Sequence, residues 1–164
     1  MAIGSHQSTK MINNEWLTPP EIIEELGPFD TDPCSPVNRP WDTARFHYSI
    51  EDNGLLSAWH GRVWLNPPYG KYLIDWMGRM ALYNNGIALI FARTETKTFF
   101  RYVWPVASGI LFIKGRLHFH YVTGEKADTN SGAPSVLIAY GSKNAEILKK
   151  CSIKGKYLGL TPNK

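Results

Sequence analysis

The segment that most constrains the fold is a short apolar stretch that runs into two prolines and then into an amphipathic pattern. Gly61–Leu65 (GRVWL) is predicted to be a strand, and Asn66-Pro67-Pro68-Tyr69-Gly70 follows it directly. Two consecutive prolines exclude both a helix and a strand ladder, so the chain must turn there. Lys71–Asn84 then carries apolar residues at helical spacing. A strand, a rigid turn and a helix in this order are typical of an α/β sheet with the turn at its edge.

The rest of the chain alternates strands and helices at first and then becomes rich in strands. Thr18-Pro19-Pro20-Glu21 is typical of a helix start, with Thr18 as the cap. The early alternation predicts a mostly parallel sheet with helices on its faces, and the late strands predict an antiparallel edge hairpin near the C-terminus. The further predicted helices are Pro20–Leu26, Thr96–Trp104 and Asn144–Lys150, and the further predicted strands are Phe29–Asp32, Arg45–Tyr48, Ile87–Phe91, Ile110–Lys114, Leu117–Val122 and Ser135–Tyr140.

Composition predicts a soluble globular protein with one main domain. The chain has 164 residues, of which 43% are hydrophobic and 20% charged, and no apolar run is long enough to cross a bilayer. We expect a flexible arm over residues 1–14, a single domain over residues 15–150 and a basic tail over residues 151–164. The 2 cysteines form neither a metal motif nor a disulfide framework. His118 and His120 are too few to bind a metal, so none is expected.

The charges of the chain divide into an acidic part and a basic part. Residues 1–60 hold three basic and nine acidic side chains, and residues 61–164 hold the other 15 basic and five acidic ones. A basic region is typical of proteins that bind a polyanion, because phosphates attract Lys and Arg. The acidic region suits a cationic ligand. An unevenly charged solvated surface is the alternative explanation.

Asn66-Pro67-Pro68-Tyr69 resembles the catalytic tetrapeptide of amino-group methyltransferases, whose general form is Asp/Asn/Ser-Pro-Pro-aromatic. The Asn66 side-chain oxygen and the Pro67 carbonyl are two acceptors for the hydrogens of a planar amino group, and together they favour a nitrogen with an available lone pair. Pro67 and Pro68 stiffen the turn, and Tyr69 offers a flat face to an extruded base. A rigid turn with a core tyrosine is the structural alternative.

Further segments resemble the phage-type DNA N6-adenine methyltransferase (Dam-like) family. The resemblance implies a Rossmann-like methyltransferase fold, S-adenosylmethionine as methyl donor, and double-stranded DNA with a flipped adenine as partner. It also implies a cytoplasmic phage or prophage protein in a bacterial host. The segments that carry it are Glu15–Pro19, Phe29–Cys34, Asp52–Leu55, Trp59–Tyr69, Ala92–Thr96 with Phe99-Phe100, and Lys114–Phe119.

Carried over by position, the resemblance also names site residues. The catalytic loop would be Asn66, Pro67, Pro68 and Tyr69. The donor would be bound by Thr18, Pro19, Asp30, Asp32 and Pro33, with Asp30 and Asp32 at the tip of the first strand; the alternative for these two is a turn residue after a strand. We also expect Trp16, Asn66 and Asp52 in the donor site, and the alternative for Asp52 is a solubilising loop residue. Carboxylates there would favour the sulfonium and ammonium of the donor. The chain departs from related enzymes after Asp32-Pro33, because Cys34-Ser35-Pro36 replaces their Gly-x-Gly element.

DNA contacts are expected from Lys71, Arg93 and Arg116. Arg93 follows a buried strand, as Asn66 does, and should lie on the same edge of the sheet; a surface salt bridge is its alternative. The acceptor also has alternatives, since RNA adenine and protein glutamine amides present a similar planar amino group. A third hypothesis is a non-catalytic nucleic-acid-binding module with a relict methyltransferase fold, and the missing glycine loop motivates it.

Overall fold

The computed structural model describes residues 16–163, so the arm predicted over residues 1–14 lies outside the described part. The described chain forms seven strands and four helices. In chain order these are α1 (Pro20–Leu26), β1 (Thr31–Asp32), β2 (Phe46–His47), β3 (Val63–Leu65), α2 (Leu73–Tyr83), β4 (Gly86–Phe91), α3 (Lys97–Tyr102), β5 (Gly109–Ile113), β6 (Ser135–Tyr140), α4 (Ser142–Lys150) and β7 (Gly155–Gly159).

All seven strands form one mixed sheet in the order β2-β1-β3-β4-β6-β5-β7. The strands β2, β1, β3 and β4 run parallel, with Val63 of β3 opposite Gly86 of β4. The pairs β4–β6, β6–β5 and β5–β7 are antiparallel. The predicted α/β class, with a parallel part and an antiparallel edge, is therefore confirmed.

The helices cover both faces of this sheet. Alternate residues of β4 point to opposite faces, so Ile87 and Leu89 pack with α1 and α4, while Ala88 and Ile90 pack with α2 and α3. All four β4 side chains are at most 1% exposed. A strand buried on both faces explains why Ile87–Phe91 is continuously apolar rather than alternating.

One of the predicted late strands is wrong, so the antiparallel edge is built from different segments than expected. Leu117–Val122 forms no strand, and its His120 makes only isolated bridges to Leu17 and Lys126. The edge strand is instead β7, which lies within the segment predicted to be a basic tail and pairs with β5. Strand formation depends on a partner that is distant in sequence, so the local pattern of Leu117–Val122 did not decide it.

Candidate active site

Most of the predicted site residues lie at one edge of the sheet, which we call the carboxyl edge. It consists of the loops that follow β1, β2, β3 and β4, together with the connection from β5 to β6. The chain passes from β1 outward to β2 but from β3 in the opposite direction to β4, so the sheet order reverses between β1 and β3. Open α/β sheets bind ligands in the crevice outside the strand ends at such a reversal. The loop after β1 and the loop Asn66–Gly70 border this crevice.

Asn66 leaves the buried end of β3 and is held by the segment before α1. Its Nδ2 donates to the backbone carbonyl of Trp16 and to Oγ1 of Thr18, each at 3.2 Å. Its Oδ1 accepts no side-chain hydrogen bond from the described residues. Pro67 is buried, and Gly70 closes the loop with a φ of 123°, a conformation that favours glycine. The loop therefore presents an amide oxygen on a rigid turn.

Tyr69 stacks face to face on Phe91, the last residue of β4. The two ring centroids are 4.1 Å apart and the planes differ by 2°. The Tyr69 hydroxyl is buried without a hydrogen-bond partner among the described residues, and burial raises the pKa of this phenol. One face of Tyr69 is thus covered by Phe91, so a stacked base would have to use the other face. Sequence reasoning did not identify Phe91, although it directly precedes the Ala92-Arg93 segment.

The segment Trp16–Pro19 lies against the Asn66–Gly70 loop. Thr18 was expected to cap α1, but the N-cap residue is Pro19 and α1 has no side-chain cap. Thr18 is 2% exposed, and its hydroxyl accepts from Asn66 instead. The Trp16 ring packs against Tyr121 at 5.4 Å between centroids. This segment therefore joins the Asn66 loop to the connection between β5 and β6.

Asp32 ends β1 at the carboxyl edge, but its carboxylate is engaged within the chain. Its Oδ1 accepts from the backbone N–H of Cys34 at 3.0 Å, and its Oδ2 accepts from the Thr43 hydroxyl. Burial raises the pKa of Asp32 from 3.8 to about 6, although both hydrogen bonds and Arg39 lower it. Asp32 therefore organises the loop between β1 and β2, and its ionised form is destabilised at neutral pH.

The raised pKa of Asp32 predicts a pH-dependent stability. The native state binds the Asp32 proton more tightly than the unfolded state, so this contribution to stability is present below pH 3.8 and is lost as the pH rises through about 6. Asp32→Asn removes the titratable carboxyl group and keeps the shape of the side chain. We expect the unfolding free energy of the variant, relative to the wild type, to increase by about 2 kcal/mol between pH 4 and pH 7.

Urea unfolding of both proteins at a series of pH values measures this difference. The subtraction removes the opposing contribution of His47, whose pKa is lowered chiefly by burial. If the difference in unfolding free energy between the two proteins does not change with pH, the pKa of Asp32 is the same in the folded and the unfolded protein.

The other two predicted donor carboxylates are placed differently. Asp30 precedes β1, and its Oδ2 accepts from the backbone N–H of Arg62 at 2.7 Å. It therefore lies at the amino end of β3, on the edge opposite Asn66, which corrects its expected position at the strand tip. Asp52 lies in the loop after β2 on the carboxyl edge, is exposed, and accepts from the N–H and hydroxyl of Ser49.

The loop after β2 packs closely on the loop after β1. A Cβ at Gly54 would overlap with the carbonyl oxygen of Pro33, so glycine is required for this approach. Arg79 of α2 holds the same loop by donating to the backbone carbonyls of Leu55 and Ser57, and its guanidinium lies 4.4 Å from the Trp59 ring centroid. Sequence reasoning missed Arg79, because backbone carbonyl partners leave no pattern in the sequence.

The three predicted DNA-contact residues all lie on exposed parts of the carboxyl edge. Lys71 follows the Asn66 loop, and its Nζ lies 4.8 Å from the Tyr72 ring centroid. The guanidinium of Arg93 lies 5.9 Å from the centroid of Phe91, the ring on which Tyr69 stacks. Arg116 donates to the Ser131 carbonyl at 3.2 Å. None of the three has a salt bridge within the described chain, so their charges are available to a polyanion.

Two kinds of feature are absent from residues 16–163. No group of three or more His, Cys, Asp or Glu side chains is arranged to bind a metal ion. In the same part of the chain, no helix is long and apolar enough to span a membrane.

Comparison with known proteins identifies the family. The sequence model of the family described as DNA N-6-adenine-methyltransferase (Dam) matches residues 5–155. Searches of the curated proteins and of the solved structures each returned no significant match. The match spans most of the chain and includes both the Trp16–Pro19 segment and the Asn66–Gly70 loop. The chain belongs to the DNA N-6-adenine-methyltransferase (Dam) family.

Proposed function

We propose that this protein transfers a methyl group from S-adenosylmethionine to the N6 amino group of adenine in DNA. The observation that carries the proposal is the Asn66 amide, whose NH2 group donates to Trp16 and Thr18 while its oxygen accepts no side-chain hydrogen bond from the described residues. Family membership supports adenine in DNA as the acceptor. We also propose that the sheet is of the Rossmann-like methyltransferase type, which its parallel part and the reversal between β1 and β3 support.

In this proposal, Asn66 Oδ1 and the Pro67 carbonyl accept the two N6 hydrogens of the adenine. These two hydrogen bonds favour a tetrahedral nitrogen, whose lone pair is no longer delocalised into the ring. Because both acceptors are already in position, they need not rearrange during the reaction. Tyr69 supports the flipped base with the face that Phe91 leaves uncovered. S-adenosylmethionine supplies a methyl group activated on a sulfonium. Transfer would form the N6–methyl bond while the methyl–sulfur bond breaks, leaving the neutral thioether S-adenosylhomocysteine, and the positively charged N6 would then release one proton to solvent.

The carboxyl edge between β1 and β2 fits a cationic donor. Asp32 and Asp52 lie there, and a nearby sulfonium and ammonium would favour the ionised form of Asp32, which burial disfavours. We propose that Trp16, Pro19, Pro33 and Asp52 line the donor site. The loop after β1 has no Gly-x-Gly element. The close backbone contact in this region is instead made by Gly54, in the loop after β2, which lies against the carbonyl of Pro33.

Removing one exposed cation from the carboxyl edge should weaken DNA binding and make it less dependent on salt. Arg93→Ala removes the guanidinium beside the Tyr69–Phe91 stack, and we expect the KM for DNA to rise about three- to tenfold at low salt. The slope of log affinity against log salt concentration should become shallower by about 1. Arg101→Ala, an exposed arginine on α3 without a described side-chain contact, is the matched control. Equal salt slopes for the two variants would contradict a phosphate contact at Arg93.

A single assay separates this proposal from its alternatives. The protein is incubated with labelled S-adenosylmethionine and either duplex DNA, RNA or a glutamine-containing peptide, and the modified nucleosides or residues are identified by mass. We expect N6-methyladenine in DNA. Methylated RNA or glutamine would mean that the substrate is not DNA. The proposed chemistry would still hold, because Asn66 and the Pro67 carbonyl suit any planar amino group. No product with any acceptor, together with no donor binding in calorimetry, would favour the non-catalytic module.

A further inference from the structure

The orientation of the Asn66 amide is determined by two oxygen atoms outside its own loop. Its NH2 group carries two hydrogens, and the Trp16 carbonyl and Thr18 Oγ1 each lie 3.2 Å from Nδ2. Rotation of the amide by 180° would place Oδ1 against both oxygens, and a backbone carbonyl has no proton to donate. The contacts therefore favour the rotamer in which Oδ1 is free to accept from a substrate.

Thr18 is placed rigidly enough to impose this orientation. It is 2% exposed and lies between Leu17 and Pro19. Leu17 exchanges two backbone hydrogen bonds with His120, at 2.9 and 3.0 Å. The Thr18 hydroxyl does not cap α1, and the side-chain hydrogen bond it makes within the described chain is with Asn66. A residue 48 positions before the catalytic loop is thus fixed against it.

We propose that Thr18 is a positioning residue for methyl transfer: its hydroxyl, with the Trp16 carbonyl, holds the Asn66 amide so that Oδ1 accepts from the adenine amino group. The inference rests on the proposed function, and it assigns Thr18 a role that acts through Asn66. The alternative role for Thr18, a direct contact to the methyl donor, would leave the Asn66 amide unaffected when the hydroxyl is removed.

Two substitutions at the same position test the role of the hydroxyl. Thr18→Val keeps the shape and removes the hydroxyl, whereas Thr18→Ser keeps the hydroxyl. We expect kcat to fall about tenfold in Thr18→Val, the effect of losing one positioning hydrogen bond, and to stay within about twofold of the wild type in Thr18→Ser. The Kd for S-adenosylmethionine and the KM for DNA should change less than about twofold in both variants.

An NMR measurement on the donor-free protein gives a readout that does not depend on activity. The side-chain amide signals of Asn66 are identified as the pair that disappears in Asn66→Ala. We expect one of the two amide proton signals to shift in Thr18→Val and to stay close to its original position in Thr18→Ser, because each hydrogen has its own acceptor.

Two results would overturn the inference. One is an equal kcat in Thr18→Val and Thr18→Ser. The other is a weaker Kd for S-adenosylmethionine in Thr18→Val with unmoved Asn66 amide signals, which would make Thr18 a donor contact. Failure of the proposed function looks different, since the unsubstituted protein would then transfer no methyl group to DNA. In that case the NMR comparison still decides whether Thr18 holds the amide.

Discussion

Asn66→Ala is expected to lower the kcat of methyl transfer to DNA by roughly 10²- to 10³-fold, the usual effect of removing one preorganised hydrogen-bonding group from a polar transition state. The alanine variant keeps the Pro67 carbonyl but loses the side-chain oxygen that we propose as the acceptor of the second amino hydrogen. Donor binding should change little, because the residues that we propose to line the donor site, Trp16, Pro19, Pro33 and Asp52, are unchanged. Transfer of labelled methyl groups and calorimetry with S-adenosylmethionine measure the two effects separately.

The control for this prediction is Asn163→Ala, an exposed asparagine whose side chain makes no described hydrogen bond. It should keep full activity. Thermal unfolding of Asn66→Ala must be measured as well, because the substitution also removes the bonds to Trp16 and Thr18. A folded Asn66→Ala protein with full activity would show that the loop does not carry the chemistry.

Arg62→Ala is expected to destabilise the fold by about 3 kcal/mol. The guanidinium of Arg62 donates to the backbone carbonyls of Leu26 and Pro28 and to Oδ1 of Asn144, at 3.0, 2.8 and 2.8 Å, and its Cζ lies 4.6 Å from the ring centroid of Phe29. It thereby joins the end of α1, the start of β3 and α4. Alanine would leave these acceptors without their charged donor, and two of them belong to the buried residues Leu26 and Asn144.

Urea unfolding at constant pH measures this loss, and Arg101→Ala is again the matched control, with an expected change within about 0.5 kcal/mol. Arg62→Lys should be intermediate, because an ammonium retains the charge but not the planar set of donors that reaches three acceptors. A loss as small as that of Arg101→Ala would mean that water replaces the guanidinium at little cost.

Local sequence patterns predicted most of the secondary structure, and the failures share one cause. The helix Pro20–Leu26 and the strand Ser135–Tyr140 have the predicted bounds, because the proline start and the continuous apolar run are local signals. Leu117–Val122 and β7 were assigned incorrectly. Leu117–Val122 has the alternating pattern of a strand but forms none, whereas Gly155–Gly159 lacks that pattern and is a strand because it lies beside β5.

The candidate site likewise combines features that the local sequence predicted with contacts that it did not. The sequence by itself determined the Asn66–Gly70 turn, because two prolines after an apolar strand permit little else, and it placed Arg93 on the same sheet edge. Only the tertiary structure decided that Thr18 binds Asn66 rather than capping α1, and that Tyr69 rests on Phe91. These contacts join segments far apart in the chain, and the pairing of distant segments depends on how the whole core packs.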